Sequence, residues 1–330
     1  MRTYILSCLG LVLCFVSGSA IADSPAFEGI CSEVPDVRGH ALQVDRHGNL
    51  WLWNRQSAEV RPLKDDFSHG VATKVPEARA VDVENDWGIA VLGAHGKTLI
   101  IQSIDTPVKK VISLLNEATD LIWIDAGTIA ISTPKPTHLI EIWDIQDGDM
   151  VRTIGEGEPT LPLIGARFLR SLVLQYDSAN QHIHALESVT GELHIFDLQG
   201  KPLRQSKVPA HRLPELQNWL RGVDEQVRKE NRISTPLFTV LRLAVASDGT
   251  DAVLERCTED RRRATLTRIQ PDGEFERQEI VFKGPYCSTN FTLWENKVAF
   301  LAPDSGSNKG TAVLICTALR NKINLDGENS

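Results

Sequence analysis

Sulfur is scarce in this chain, with six cysteines and two methionines among 330 residues. No two cysteines stand as Cys-x-x-Cys, so neither a zinc knuckle nor a thioredoxin-type redox site is supported. A surplus of positive charge is also missing. The 35 basic and 43 acidic side chains leave a net charge of −8, which predicts no nucleic-acid footprint. After the N-terminus no apolar run approaches the roughly 18 residues of a membrane span. Gly-x-Ser-x-Gly and His-Glu-x-x-His are absent, and Gly155-Glu-Gly-Glu-Pro159 lacks the lysine of a phosphate loop. With 42% hydrophobic and 24% charged residues, composition excludes disorder, collagen and coiled coil.

What is present begins with an export signal. Arg2 supplies the positive end, Ile5–Val16 the apolar run and Ala20-Ile21-Ala22 a small-x-small cleavage site, so residues 1–22 are expected to be removed. The mature chain, 23–330, is then periplasmic or secreted and carries four cysteines. An oxidising compartment makes disulfides the default, and four cysteines allow three pairings. Strand order favours Cys257 with Cys287 across a unit boundary. It also favours Cys31 with Cys316, where an N-terminal strand completes the last unit.

The mature sequence is built from short segments rich in Val, Ile, Leu, Thr and Trp, separated by Asp/Gly turns, an all-β signature. Six segments rise through an apolar stretch to an acid: Arg38–Asp45, Arg79–Asp86, Ala118–Asp125, Arg170–Asp177, Leu241–Asp248 and Ser288–Glu295. A second echo, Ile-Trp-Asp-Ile-Gln-Asp-Gly at 142–148 and Ile-Phe-Asp-Leu-Gln-Gly at 195–200, reads as a third strand turning into a fourth. Units of about 40–50 residues with four antiparallel strands have the period of propeller blades. The repeated Asp is turn chemistry: its carboxylate bonds nearby backbone N–H groups. On this pattern the chain resembles the six-bladed β-propellers of exported bacterial proteins, the superfamily of NHL-repeat, TolB-like and gluconolactonase-like members. Seven-bladed WD40 and pyrroloquinoline-quinone propellers match less well, because Trp143-Asp144 is a single instance of their dipeptide.

One stretch breaks the repeat. Residues 209–235 are expected to form a helical insertion between the fourth and fifth blades, with Leu216, Trp219, Leu220, Val223 and Val227 at helical spacing.

Two constellations carry chemistry. Arg38, Arg79 and Arg170 each stand seven residues before the acid of their unit, with Arg242 offset by one. These spacings place them at the upper end of the innermost strands, where guanidinium groups could hold an anion or pair with acids of the next blade. His182, His184 and His194 form a weak metal candidate, since a turn near Thr190-Gly191 would fold the third beside the other two. The middle strands of a blade equally suit plain surface histidines.

The functional expectation is a non-catalytic, monomeric propeller without a cofactor or membrane span. It would bind a small molecule, anionic in one reading, or a protein on the upper face. The alternatives are a structural envelope protein and a metal-dependent hydrolase resembling the gluconolactonases. The resemblance implies an early Glu-Gly-Pro for the hydrolase, and here Glu28-Gly29 is followed by Ile30.

Overall fold

The computed structural model describes residues 31–316, apart from 39–40, 65–67, 76, 105–108, 134–136, 157–171, 189, 209–241, 247, 256–262, 282–289, 295–296 and 304–310. The described residues contain strands and turns and no helix, hence none long and apolar enough to cross a membrane. The expected insertion at 209–235, and Arg170, Cys257 and Cys287, lie outside the described residues.

Among the described residues, twenty-four strands make six four-stranded antiparallel sheets. Strand β1 (Cys31–Arg38) comes first and joins the last sheet. The next four, β2 (Ala41–Val44), β3 (Leu50–Asn54), β4 (Glu59–Leu63) and β5 (Thr73–Lys74), form the first sheet in that order. Then follow β6 (Ala78–Glu84), β7 (Gly88–Gly93), β8 (Thr98–Gln102) and β9 (Lys109–Ser113). The third sheet is β10 (Asp120–Asp125), β11 (Thr128–Ser132), β12 (His138–Asp144) and β13 (Asp149–Glu156). The fourth is β14 (Leu172–Asp177), β15 (His182–Glu187), β16 (Glu192–Asp197) and β17 (Pro202–Lys207), and the fifth β18 (Arg242–Val245), β19 (Asp251–Glu255), β20 (Arg263–Ile269) and β21 (Phe275–Val281). In the last sheet β22 (Asn290–Trp294), β23 (Lys297–Pro303) and β24 (Thr311–Cys316) are completed by β1 at the outer edge. The first strands β2, β6, β10, β14, β18 and β22 touch in succession and close a ring. This is a β-propeller.

Tight turns end the inner strands for the expected reason. Asp45 accepts the backbone N–H groups of His47 and Asn49 through Oδ1, each at 2.9 Å, and Gly48 follows at φ 84°, where a side chain would be strained. Asp125, Asp177 and Asp248 likewise accept backbone N–H groups two residues on. Asp86 departs from the pattern and binds Arg46 and His47 instead.

Each junction between neighbouring sheets holds its own apolar cluster. Leu42, Leu50 and Leu52 meet Ala299 and Leu301 where first and last sheets join, while Trp123, Ile129 and Trp143 meet Leu92 and Leu99 between the second and third. A sheet covered on both faces needs near-continuous apolar strands rather than alternation. That is why β11 and β7 are buried almost throughout, whereas the outer β13 and β17 are exposed along most of their length.

The first and last described strands meet in the last sheet, where Cys31 and Cys316 are register partners and Arg38 lies opposite Ala312. Arg38 therefore sits on an outermost strand, not beside the channel as its spacing suggests. The apolar repeat marks strands without saying which sheet edge each one joins, and β1 closes the ring while β2 opens the first sheet.

Asp45 is also the acceptor for the buried Trp51 indole N–H, at 2.9 Å. Replacing Asp45 with Ala leaves that donor and two turn amides without their carboxylate, a cost of about 1–3 kcal/mol. Thermal unfolding of Asp45→Ala should show a Tm lowered by several degrees, and an unchanged Tm would contradict the role given to this carboxylate.

Candidate functional site

The ring encloses two openings of unequal size. On the side where the inner strands begin, a space of about 360 Å³ is lined by Arg79, Asp120, Arg242 and Asn290 among others. On the opposite side, at the aspartate turns, the space is about 1050 Å³. The larger one falls at the upper end of ordinary small-molecule sites.

Of the candidate arginines among the described residues, Arg79 and Arg242 line the smaller mouth. Arg79 donates to Glu117 at 2.8 Å, tying β6 to the link that enters β10. The positive charge of Arg242 draws the Asp120 pKa downward. Burial outweighs that pull and the carboxyl stands at about 6, despite accepting the Leu174 N–H at 2.9 Å. Arg79 thus faces an acid of the neighbouring sheet, the structural alternative for this residue, whereas Arg242 acts on Asp120 from two sheets away.

The larger mouth is acidic and aromatic. Asp45, Asp82, Glu84, Asp125, Asp177 and Asp248 line it, opposed by Arg46 and Arg268. Trp87 and Trp123 stand with ring centroids 5.9 Å apart, and the Arg46 guanidinium lies 3.9 Å above the Trp87 ring. Arg46 also reaches Asp86 at 2.6 Å, so this wall already holds one cation between an indole and carboxylates. Burial pushes the Asp82 carboxyl up to about 8, against the opposing hydrogen bond from the Trp123 N–H at 2.6 Å. Burial likewise raises Glu84 to about 7, opposed first by the hydrogen bond from the Arg46 backbone N–H.

Asp82 and Asp120 share a further task. Each inner strand has a free edge towards the channel, and its N–H groups need acceptors. Asp82 caps Trp123 of the next sheet, Asp120 caps Leu174, and the Asn290 side-chain oxygen accepts from Leu42 at 3.2 Å. Sequence reasoning missed these three. The available signal was a polar residue inside an otherwise apolar inner strand, as in Ala-Val-Asp-Val at 80–83.

The three histidines do not converge. His184 pairs in register with Ile195, and His194 with Ala185. Directly opposed residues share a face and successive ones alternate, so His194 points to the other face from His184. His182 and His184 instead gather with Asp177, while His194 gathers with Glu187 and Glu192. His184 is buried rather than at the surface.

No protein-family model and no curated protein sequence matches the chain. Among solved structures, a member of the DUF4221 family from Bacteroides vulgatus is similar at 9% identity and TM-score 0.62, over 88% of this chain and 96% of that one. Virginiamycin B lyase from Staphylococcus aureus is similar at 10% identity and TM-score 0.52, over 87% and 82%. A protein of unknown function from Bacteroides thetaiotaomicron gives 9% and 0.53, over 88% and 73%. At such identities the likeness is one of fold alone.

The raised carboxyls imply a pH-dependent stability. Asp82 ordinarily titrates near 3.8 but stands at about 8 in the fold, so between those values the folded protein keeps a proton that the unfolded chain has lost. Its contribution is therefore full below about pH 4 and is lost as pH rises through about 8. The slope is at most about 1.4 kcal/mol per pH unit for each such proton. Denaturant midpoints should fall from pH 5 to 8.5, and Asp82→Asn, which keeps an acceptor for Trp123, should flatten the profile. An equal slope in wild type and variant would contradict this assignment.

Proposed function

We propose that the chain is an exported, six-bladed, non-catalytic propeller that binds a small organic cation at the turn-side mouth of its channel. The observation that carries this reading is the 1050 Å³ cavity in which acids outnumber bases and the partly exposed Trp87 lies on the wall. Arg46 on Trp87 is an internal precedent for the chemistry: a delocalised cation over an indole, held by carboxylates. This moves the binding face from the arginine side, where Arg79 is paired with Glu117, to the aspartate side.

A second reading, acid–base chemistry in the same cavity, draws on Glu84. A carboxyl at about 7 can give and take a proton near neutral pH. Virginiamycin B lyase is an enzyme of similar fold, which makes the reading worth testing and adds no residue to it.

The cavity can be probed through the fluorescence of Trp87, with Trp87→Phe as the control. Tetramethylammonium and spermidine should quench it saturably, and acetate or phosphate should not. Glu84→Gln should weaken the cation about tenfold at pH 8 and less at pH 6, where Glu84 is largely protonated. Saturable binding of anions alone would overturn the proposal.

Export has its own test. The register of Cys31 with Cys316 brings their Cα atoms within the usual disulfide span, since opposed antiparallel residues lie about 4.5–5.5 Å apart. Protein recovered from an oxidising compartment should begin at Asp23 and yield a Cys31–Cys316 linked peptide on non-reducing digestion. Reduction should cost about 2–4 kcal/mol of stability. An intact Met1 with both thiols free would count against export.

A further inference from the structure

His184 is 2% exposed and lies where the fourth and fifth sheets meet. Its Nδ1 is 2.5 Å from Asp251 Oδ1, a carboxylate that is itself fully buried on β19 of the next sheet. Asp251 also accepts from Arg204 of β17 at 2.5 Å, and the same guanidinium donates to the Gln270 carbonyl at 2.7 Å. Arg204 thus balances the charge of Asp251. The hydrogen bond to Asp251 holds the imidazole proton on Nδ1 and leaves Nε2 with its lone pair.

That Nε2 is buried and without a hydrogen-bond partner. It faces Asp177 Oδ2 across 4.0 Å. Two acceptors opposed in this way repel unless a positive centre lies between them. The gap is too long for a hydrogen bond, and a tetrahedral ion held about 2.0–2.2 Å from each atom would draw the two together by roughly half an ångström. Asp177 is fixed in place by the amides of Ala179 and Asn180 on Oδ1 and by the Asn180 side chain at 2.7 Å on Oδ2. The third donor is His182, which is opposite Asp177 in register. Its ring centroid is 6.4 Å from that of His184. One ligand atom from each of Asp177, His182 and His184 lies within 4.8 Å of the others.

We propose that Asp177, His182 and His184 bind a divalent transition-metal ion of the zinc class, with Asp251 and Arg204 as the outer partners that orient His184. Two imidazoles and one carboxylate are a zinc-type donor set that leaves a fourth position open. Asp177 also lines the larger cavity, so the ion has a route from solvent on the turn side. The site does not depend on what fills the channel. The other cluster, Glu187, Glu192 and His194, offers a single nitrogen, and Thr190 donates to Glu187 at 2.7 Å; it carries no such proposal.

The full chain, stripped with chelator, should bind one Zn²⁺ by calorimetry, and Co²⁺ should give the visible absorption of a four-coordinate site. His182→Ala removes a half-exposed ligand outside the buried Arg204–Asp251–His184 network and should leave the metal-free Tm close to wild type. It should weaken Zn²⁺ by more than the roughly 10–100-fold that loss of an outer partner costs. Asp177→Asn, which retains the turn acceptor, should do the same. Failure of wild type to take up Zn²⁺, or unchanged affinity in both variants, would overturn the site.

Discussion

Every other feature depends on the burial of both faces of each sheet. Strands as apolar as β10, β11 and β12 cannot face water on either side, and they are covered by the clusters they share with their neighbours. Removing a large side chain from such a junction, for example Phe300, fully buried against Phe291, costs about 3–5 kcal/mol. The junctions are equivalent in kind, so the ring is stable only when it is complete. Pairing of β1 with β24 joins the first and last described strands in one sheet.

Closing a ring this way creates a second constraint at its centre. The inner strands have no partner on the channel side, and their N–H groups must still be satisfied. Side chains of the preceding sheet do this at three junctions, through Asp82, Asp120 and Asn290. Carboxyls used so are drawn out of water, which is why Asp82 and Asp120 hold protons far above the ordinary range.

Between the fourth and fifth sheets the same need to bury and satisfy polar groups has a different outcome. Arg204, Asp251 and His184 form a continuous chain from the outer strand of one sheet through the next. Its end, Nε2, is left facing another acceptor. Asp177, the neighbour in question, is at once a turn residue, a wall of the channel and a member of the His182–His184 cluster. One turn thus connects fold and candidate chemistry.

The sequence by itself determined the all-β class, the four-strand unit and the turn aspartates. Those are local properties, set by apolar run length and by carboxylates bonding amides two residues on. Tertiary structure alone decided which strands face the channel, so Arg38, identical in spacing to Arg79, falls on an outer edge. It also decided the partners of His184, because Asp251 lies 67 residues away and on another sheet. The grouping of the histidines turned on a one-residue register: Ile195 rather than His194 opposes His184, and a period of two places the next side chain on the opposite face.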